Sequence, residues 1–234
     1  MLDVRNLNAG YGFLQVLWDV SFHIEEGEFA ALIGPNGAGK STALKTVAGM
    51  NPVKDGEVLF KGESICGLEG QQICRKGISY ISEELNLFVN MTVKENLEMG
   101  ALTVRNKAKK EENLQFVYEL FPRLSERKTQ YAGTLSGGER KMMAIGRGIM
   151  SNPALLLVDE PSLGLAPKVI NEVFKALQVL KKSGTTILLV EQNVRKTLKN
   201  TDRAYIIEKG KIMLEGKSEE LAQSDHIKAI YLGQ

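Results

Sequence analysis

The sequence predicts an α/β fold: a largely parallel β-sheet with crossover helices, an added antiparallel layer and an inserted helical segment. Short apolar runs at Phe29–Ile33, Ile78–Ile81, Ala154–Val158 and Thr186–Val190 each end at a turn or a polar residue, as strands buried on both faces do. Between the last two, Ile170, Val173, Phe174, Leu177 and Leu180 recur at helical spacing within Pro167–Lys182, with Gly184 just past the end. Proline at the start and glycine after the end punctuate an amphipathic helix. Strand, crossover helix and strand in that order make a βαβ unit, and a parallel arrangement follows.

The other elements sit around this unit. Val16–Ile24 and Gly56–Lys61 read as strands of a small antiparallel layer, and Ile206–Ile212 as a hairpin turning at Lys209-Gly210. Thr92–Met150 carries a mostly helical pattern with few strand signals, so residues 85–150 are read as a helical subdomain within one domain spanning 1–234. The mixed charges of Lys107–Glu112 suit a solvated helix face rather than a binding site.

A chain of 234 residues can bury a sizeable core without staples. Thirty basic against twenty-eight acidic residues leave a formal charge of +2, which argues against a nucleic-acid partner. Cys66 and Cys74 lack the pairing of a zinc or redox motif and are too few for a disulfide framework, so a reducing cytosol is expected. Met1–Trp18 is broken by Asp3, Arg5, Asn6 and Asn8, which is no signal peptide and predicts a chain that is not exported. The longest apolar runs fall far short of the roughly 18 residues of a spanning helix, so a membrane role would need a partner.

Three segments carry chemistry. Gly34-Pro35-Asn36-Gly37-Ala38-Gly39-Lys40-Ser41 fits G-x-x-x-x-G-K-[ST], follows an apolar strand and opens the helical Ser41–Ala48, beginning Ser41-Thr42. Its glycines let backbone N–H groups converge on phosphate oxygens at a helix N-terminus. Lys40 is placed to reach the β- and γ-phosphates and Ser41 to ligate Mg²⁺. Asp159 and Glu160 end the run Leu155–Val158; Asp159 suits a metal shell and Glu160 can polarise an attacking water as general base. Ser136-Gly137-Gly138-Glu139 has two readings. It fits a helix capping box, yet capping does not require two glycines, which suit a backbone that something approaches closely. A second phosphate-binding helix terminus is the favoured reading.

Together the phosphate loop, Leu135-Ser136-Gly137-Gly138-Glu139 and Asp159-Glu160 resemble the ATP-binding cassette family along the whole chain. The resemblance implies a RecA-like P-loop NTPase core and an ATPase that uses ATP and Mg²⁺. It also implies head-to-tail pairing with a second ATPase subunit, so that Ser136, Gly137 and Gly138 would clasp a γ-phosphate bound to the partner. Tyr11, between Gly10 and Gly12, matches the aromatic that stacks on adenine, and Ser162–Leu165 matches the loop that crosses the dimer interface.

Two positions depart from the commonest family pattern: Glu83, at the metal-side position usually held by glutamine, and Gln192, at the position of the switch histidine. Glu83, Glu191-Gln192-Asn193, Ser162–Pro167 and Ala229–Gly233 together resemble an ATPase subunit of branched-chain amino-acid importers, although Ser82 stands where that subgroup usually has proline. Permease subunits, an indirect solute-binding protein and a position on the inner face of the cell membrane are implied. A soluble cassette ATPase acting on nucleic acid or ribosomes is the rival reading. It is disfavoured by the single P-loop and the lack of sustained heptads between Lys40 and Ser136. A P-loop kinase would leave the Leu135–Glu139 segment without a purpose.

Overall fold

In the computed structural model, which describes residues 1–224, the chain begins β1 (Leu2–Tyr11), β2 (Leu14–Ile24), β3 (Phe29–Ile33), α1 (Lys40–Val47), β4 (Val53–Phe60), β5 (Glu63–Ser64), α2 (Gly70–Lys76) and β6 (Ile78–Ile81). Helices follow: α3 (Val93–Gly100), α4 (Lys107–Leu120), α5 (Pro122–Glu126), a 3₁₀ turn at Ala132–Thr134 and α6 (Gly137–Ile149). The chain then returns to β7 (Leu155–Asp159), α7 (Pro167–Lys182), β8 (Thr186–Glu191), α8 (Val194–Asn200), β9 (Arg203–Glu208), β10 (Lys211–Lys217) and α9 (Ser218–Gln223). The Ala229–Gly233 segment and His226 lie outside the described residues.

The larger sheet has the order β10-β9-β3-β8-β7-β6, parallel from β9 to β6, with β10 antiparallel at one edge. Its central strands alternate strictly between two cores. Phe29, Ala31, Ile33, Leu156, Val158, Ile187 and Leu189 face a cluster with the buried faces of α3, α6, α7 and α8. Ala30, Leu32, Leu155, Leu157, Leu188 and Val190 face a second cluster with α1 and the antiparallel sheet. The period-2 side-chain geometry of a strand requires this, and burial on both faces explains why these runs are continuously apolar. Helix α7 lays Val173, Phe174, Ala176, Leu177 and Leu180 on the first cluster, with proline in its first turn.

The smaller sheet has the order β2-β1-β4-β5 and is antiparallel. Its central strand, β1, has no counterpart among the sequence-predicted strands. Leu2 and Val4 alternate inward, but Asn6 then takes φ 46° and the register shifts, so the pattern restarts at Leu7 and Ala9. A bulge of this kind erases the simple alternation that would announce a strand. The polar residues that mask it satisfy one another, with Asn8 Nδ2 donating to Asp19 Oδ1 at 2.8 Å and Gln15 Nε2 donating to Asn8 Oδ1 at 2.8 Å.

The hairpin turns at Lys209-Gly210, both at positive φ. Among the described residues no helix is long and apolar enough to cross a membrane.

Candidate functional site

The carboxyl ends of β3, β7 and β8 meet at one place because these strands are neighbours in a parallel sheet, the position where open α/β sheets bind ligands. Leaving β3, the chain turns into α1 through the phosphate loop. A side chain at Gly34 would overlap the Ile207 carbonyl, and Gly39, the N-cap of α1, sits at φ 104° and ψ 3° with no side-chain cap on the first-turn amides. The loop thus leaves helix N–H groups and their partial positive charge uncovered at a cavity of about 470 Å³. Asn36, Gly37, Ala38, Gly39, Lys40, Ser41 and Thr42 line it, with Tyr11, Glu83, Glu160, Leu163 and Gln192. Pro35 contributes a carbonyl to Lys40 rather than wall to the cavity.

Inside, the polar groups are tied to one another. Lys40 Nζ donates to the carbonyls of Gly34 at 2.9 Å and Pro35 at 3.0 Å and lies 3.1 Å from Glu160 Oε1. Gln192 Nε2 donates to Glu160 Oε2 at 2.6 Å. Ser41 Oγ donates to Asp159 Oδ1 at 2.8 Å. Glu160 itself stands at φ 41°, a left-handed conformation uncommon outside glycine.

Among the described residues no group of three or more His, Cys, Asp or Glu is arranged to hold a metal. The hydroxyl–carboxylate pair of Ser41 and Asp159 fits Mg²⁺, which is held by one or two protein oxygens together with substrate phosphates. Glu83 is exposed on the wall of the same cavity.

The Ser136 segment is elsewhere: none of Ser136, Gly137, Gly138 and Glu139 lines the cavity. Here the capping box forms. Ser136 Oγ accepts from Glu139 N at 3.4 Å, while Glu139 Oε2 accepts from Ser136 N at 3.0 Å and from Ser136 Oγ at 2.7 Å. Arg127 Nε donates to Glu139 Oε1 at 2.8 Å. Burial pushes the Glu139 carboxyl up, but the Ser136 bonds and the Arg127 guanidinium outweigh it and hold the group below the usual range. The two glycines differ, since Gly138 abuts Val169 whereas a Cβ on Gly137 would meet nothing in this chain.

Three supports escaped sequence reasoning. Tyr80 OH donates to Asp159 Oδ2 at 2.8 Å, and burial together with that carboxylate drives its pKa far up. Lys141, buried on α6, reaches the Glu160 carbonyl at 3.3 Å, and desolvation lowers its pKa against the pull of Glu83, Glu191, Asp159 and Glu160. Glu191, buried at the end of β8, accepts from Ser162 N at 3.0 Å and from Gln192 N at 3.2 Å, with its carboxyl raised by burial. Only Glu191, next to Gln192 in sequence, carried any signal.

Residues 17–163 match the family model described as ABC transporter. The chain is 44% identical over its full length to the whole of the high-affinity branched-chain amino acid transport ATP-binding protein BraG of Pseudomonas aeruginosa. It is 37% identical over its full length to 99% of the probable branched-chain amino acid transport ATP-binding protein LivF of Archaeoglobus fulgidus. A crystal structure of an ATP-binding cassette of an ABC transporter in its ADP conformation superposes with a TM-score of 0.86 at 28% identity, covering all of this chain and 99% of the other.

Proposed function

Because this chain belongs to the ABC transporter family as an ATP-hydrolysing subunit, we propose that it powers uptake of branched-chain amino acids or related small solutes. Full-length similarity to two proteins named for branched-chain amino-acid transport carries the solute class. The chain works as a pair of cassettes on the inner face of the membrane, with permease subunits and, through them, a solute-binding protein. An apolar cavity of about 650 Å³ beside the Ser82–Phe88 segment, lined by Met50, Ile81, Leu85, Phe88, Met99 and Leu102 among others, offers the permease a docking groove.

Hydrolysis follows from rearranging the contacts already present. The triphosphate lies against the N-terminus of α1, where uncovered amides and Lys40 compensate its charge. Tyr11, about half exposed at the cavity mouth, stacks on adenine. Ser41 and Asp159 would hold Mg²⁺, which would supply charge neutralisation of the phosphates. Phosphate draws Lys40 away from Glu160, and Gln192 turns its amide N–H from Glu160 to a γ-phosphate oxygen. Glu160, freed of both, accepts a proton from water as the water oxygen bonds to the γ-phosphorus and the bond to the ADP oxygen breaks. Free Glu160 is therefore a consequence of nucleotide arrival. Ser136 and Gly137 meet the γ-phosphate held by the second cassette.

Uptake of labelled leucine, isoleucine and valine, compared between cells with and without the gene, tests the solute. Loss of all three supports it; unchanged uptake of all three rejects it.

A further inference from the structure

The backbone from Glu160 to Ser162 is gripped from both sides by buried charged side chains to which the hydrolysis scheme gives no part. Lys141, 4% exposed, donates from α6 to the Glu160 carbonyl at 3.3 Å. Glu191, 3% exposed, accepts the Ser162 amide at 3.0 Å and the Gln192 amide at 3.2 Å, while its own carbonyl accepts from Gly34 N at 3.4 Å. One residue thus touches the start of the phosphate loop, the switch position and the turn after Glu160.

Burying either ion is costly, and a packed apolar side chain would fill the volume without that cost. The charges need a geometric reason, and the turn supplies one. Glu160 stands in a left-handed conformation that its own side chain does not favour, and that conformation brings its carboxylate to Lys40 and Gln192 on the cavity wall. Proline at 161 has no N–H to offer a neighbour. Backbone bonds from Glu160 N to the Val190 carbonyl at 3.1 Å and from Leu163 N to the Glu160 carbonyl at 3.3 Å hold the turn in part, and the side-chain contacts fall on the Glu160 carbonyl before the proline and the Ser162 amide after it.

We propose that Lys141 and Glu191 are positioning residues for ATP hydrolysis, a clamp on the Glu160–Ser162 turn that aims the Glu160 carboxylate and the Gln192 amide at the reacting phosphate. This rests on the assignment of Glu160 as base. The clamp acts on the transition-state geometry more than on nucleotide binding, because neither residue lines the cavity. Since both side chains restrain one turn, releasing either loosens it, and releasing the second adds little.

The test compares full-length wild type with Lys141→Met, Lys141→Arg, Glu191→Gln, the Lys141→Met/Glu191→Gln double variant and Glu160→Gln, measuring steady-state kcat and the dissociation constant for Mg·ATP. Lys141→Met and Glu191→Gln should each lower kcat about tenfold or more while the dissociation constant stays within about threefold. Lys141→Arg, which keeps a cationic N–H donor, should stay within about threefold of wild type. The double variant should be hardly slower than the slower single variant. Unchanged kcat in either single variant, loss of ATP affinity in step with kcat, or fully multiplicative losses would each overturn the clamp. Glu160→Gln separates the premise from the proposal. If it turns over normally, the base assignment and the clamp fall together; if it is inactive beside a fast Lys141→Met, the clamp alone falls.

Discussion

The N-termini of α1 and α6 are both built from serine and glycine, and they end in opposite conditions. At α1 the cap is Gly39, no side chain covers the first-turn amides, and Lys40 is buried against Glu160 beside an open cavity. At α6 the cap is Ser136, whose hydroxyl and amide close a reciprocal box with Glu139, itself held by Arg127. The first leaves its amides uncovered at a cavity within its own chain. The second is self-satisfied and outside that cavity, yet Gly137 leaves clear space above it. A helix end that needs nothing from its own chain and still keeps its flank open suits a ligand brought by another molecule.

The strongest way to sharpen this contrast is to disable chemistry at the α1 end while leaving binding intact. Glu160→Gln removes the base but keeps the shape and should reduce turnover by about 10²–10⁴-fold, with Mg·ATP still bound in equilibrium dialysis. Gln192→Ala should follow with a loss of about tenfold or more in kcat and little change in affinity, since the missing contact is to the group being transferred. An amide does not titrate near neutrality, so wild-type turnover should show no Gln192-dependent pH step. Gln192→His should keep activity and add one near the ordinary imidazole pKa of about 6.5. Steady-state rates across pH 6 to 8 check both.

The glycines give a stability contrast. Gly34→Ala drives a methyl into the Ile207 carbonyl and should cost about 1–3 kcal/mol. Gly137→Ala meets nothing in this chain and replaces the poorer helix former, so chemical denaturation should show no loss. Equal costs would break the comparison. The smallest effect is at Glu139, whose carboxyl is held below its usual range. A depressed folded pKa gives stability that is present above the unfolded value and lost as pH falls through the folded one. Glu139→Gln should therefore be less stable than wild type at pH 7, with the gap closing in acid denaturation below about pH 4.

What the sequence made legible follows the distance over which each signal acts. The phosphate loop is contiguous, and Gly37, Gly39, its lysine and its serine reach the cavity as local geometry dictates, whereas Gly34 packs against the Ile207 carbonyl and does not line it. Strands β3 and β6 and helix α7 fall where the apolar periodicity places them, because burial on both faces or along one stripe writes itself into neighbouring residues. Strand β1 was illegible because a bulge interrupts its alternation. In the sequence alone, nothing distinguishes Lys141 from any other charge on a helix or Tyr80 from any other aromatic in a strand. Their roles come from partners 19 and 79 positions away, and only folding brings those together. Ser136–Glu139 was readable either as a cap or as a second phosphate-binding terminus; the structure forms the capping box and leaves space open at Gly137, and the phosphate-binding reading is tested by the partner experiment below.

The central claim is that one chain's phosphate cavity is completed by another chain's α6 terminus, and light scattering of Glu160→Gln tests it most directly. The account predicts that Mg·ATP doubles the molar mass. It also predicts that adding Gly137→Arg restores the single-chain mass while ATP stays bound, because arginine fills the space left open for the partner's phosphate. Bound ATP with an undoubled mass in Glu160→Gln, or a doubled mass that survives Gly137→Arg, would contradict it.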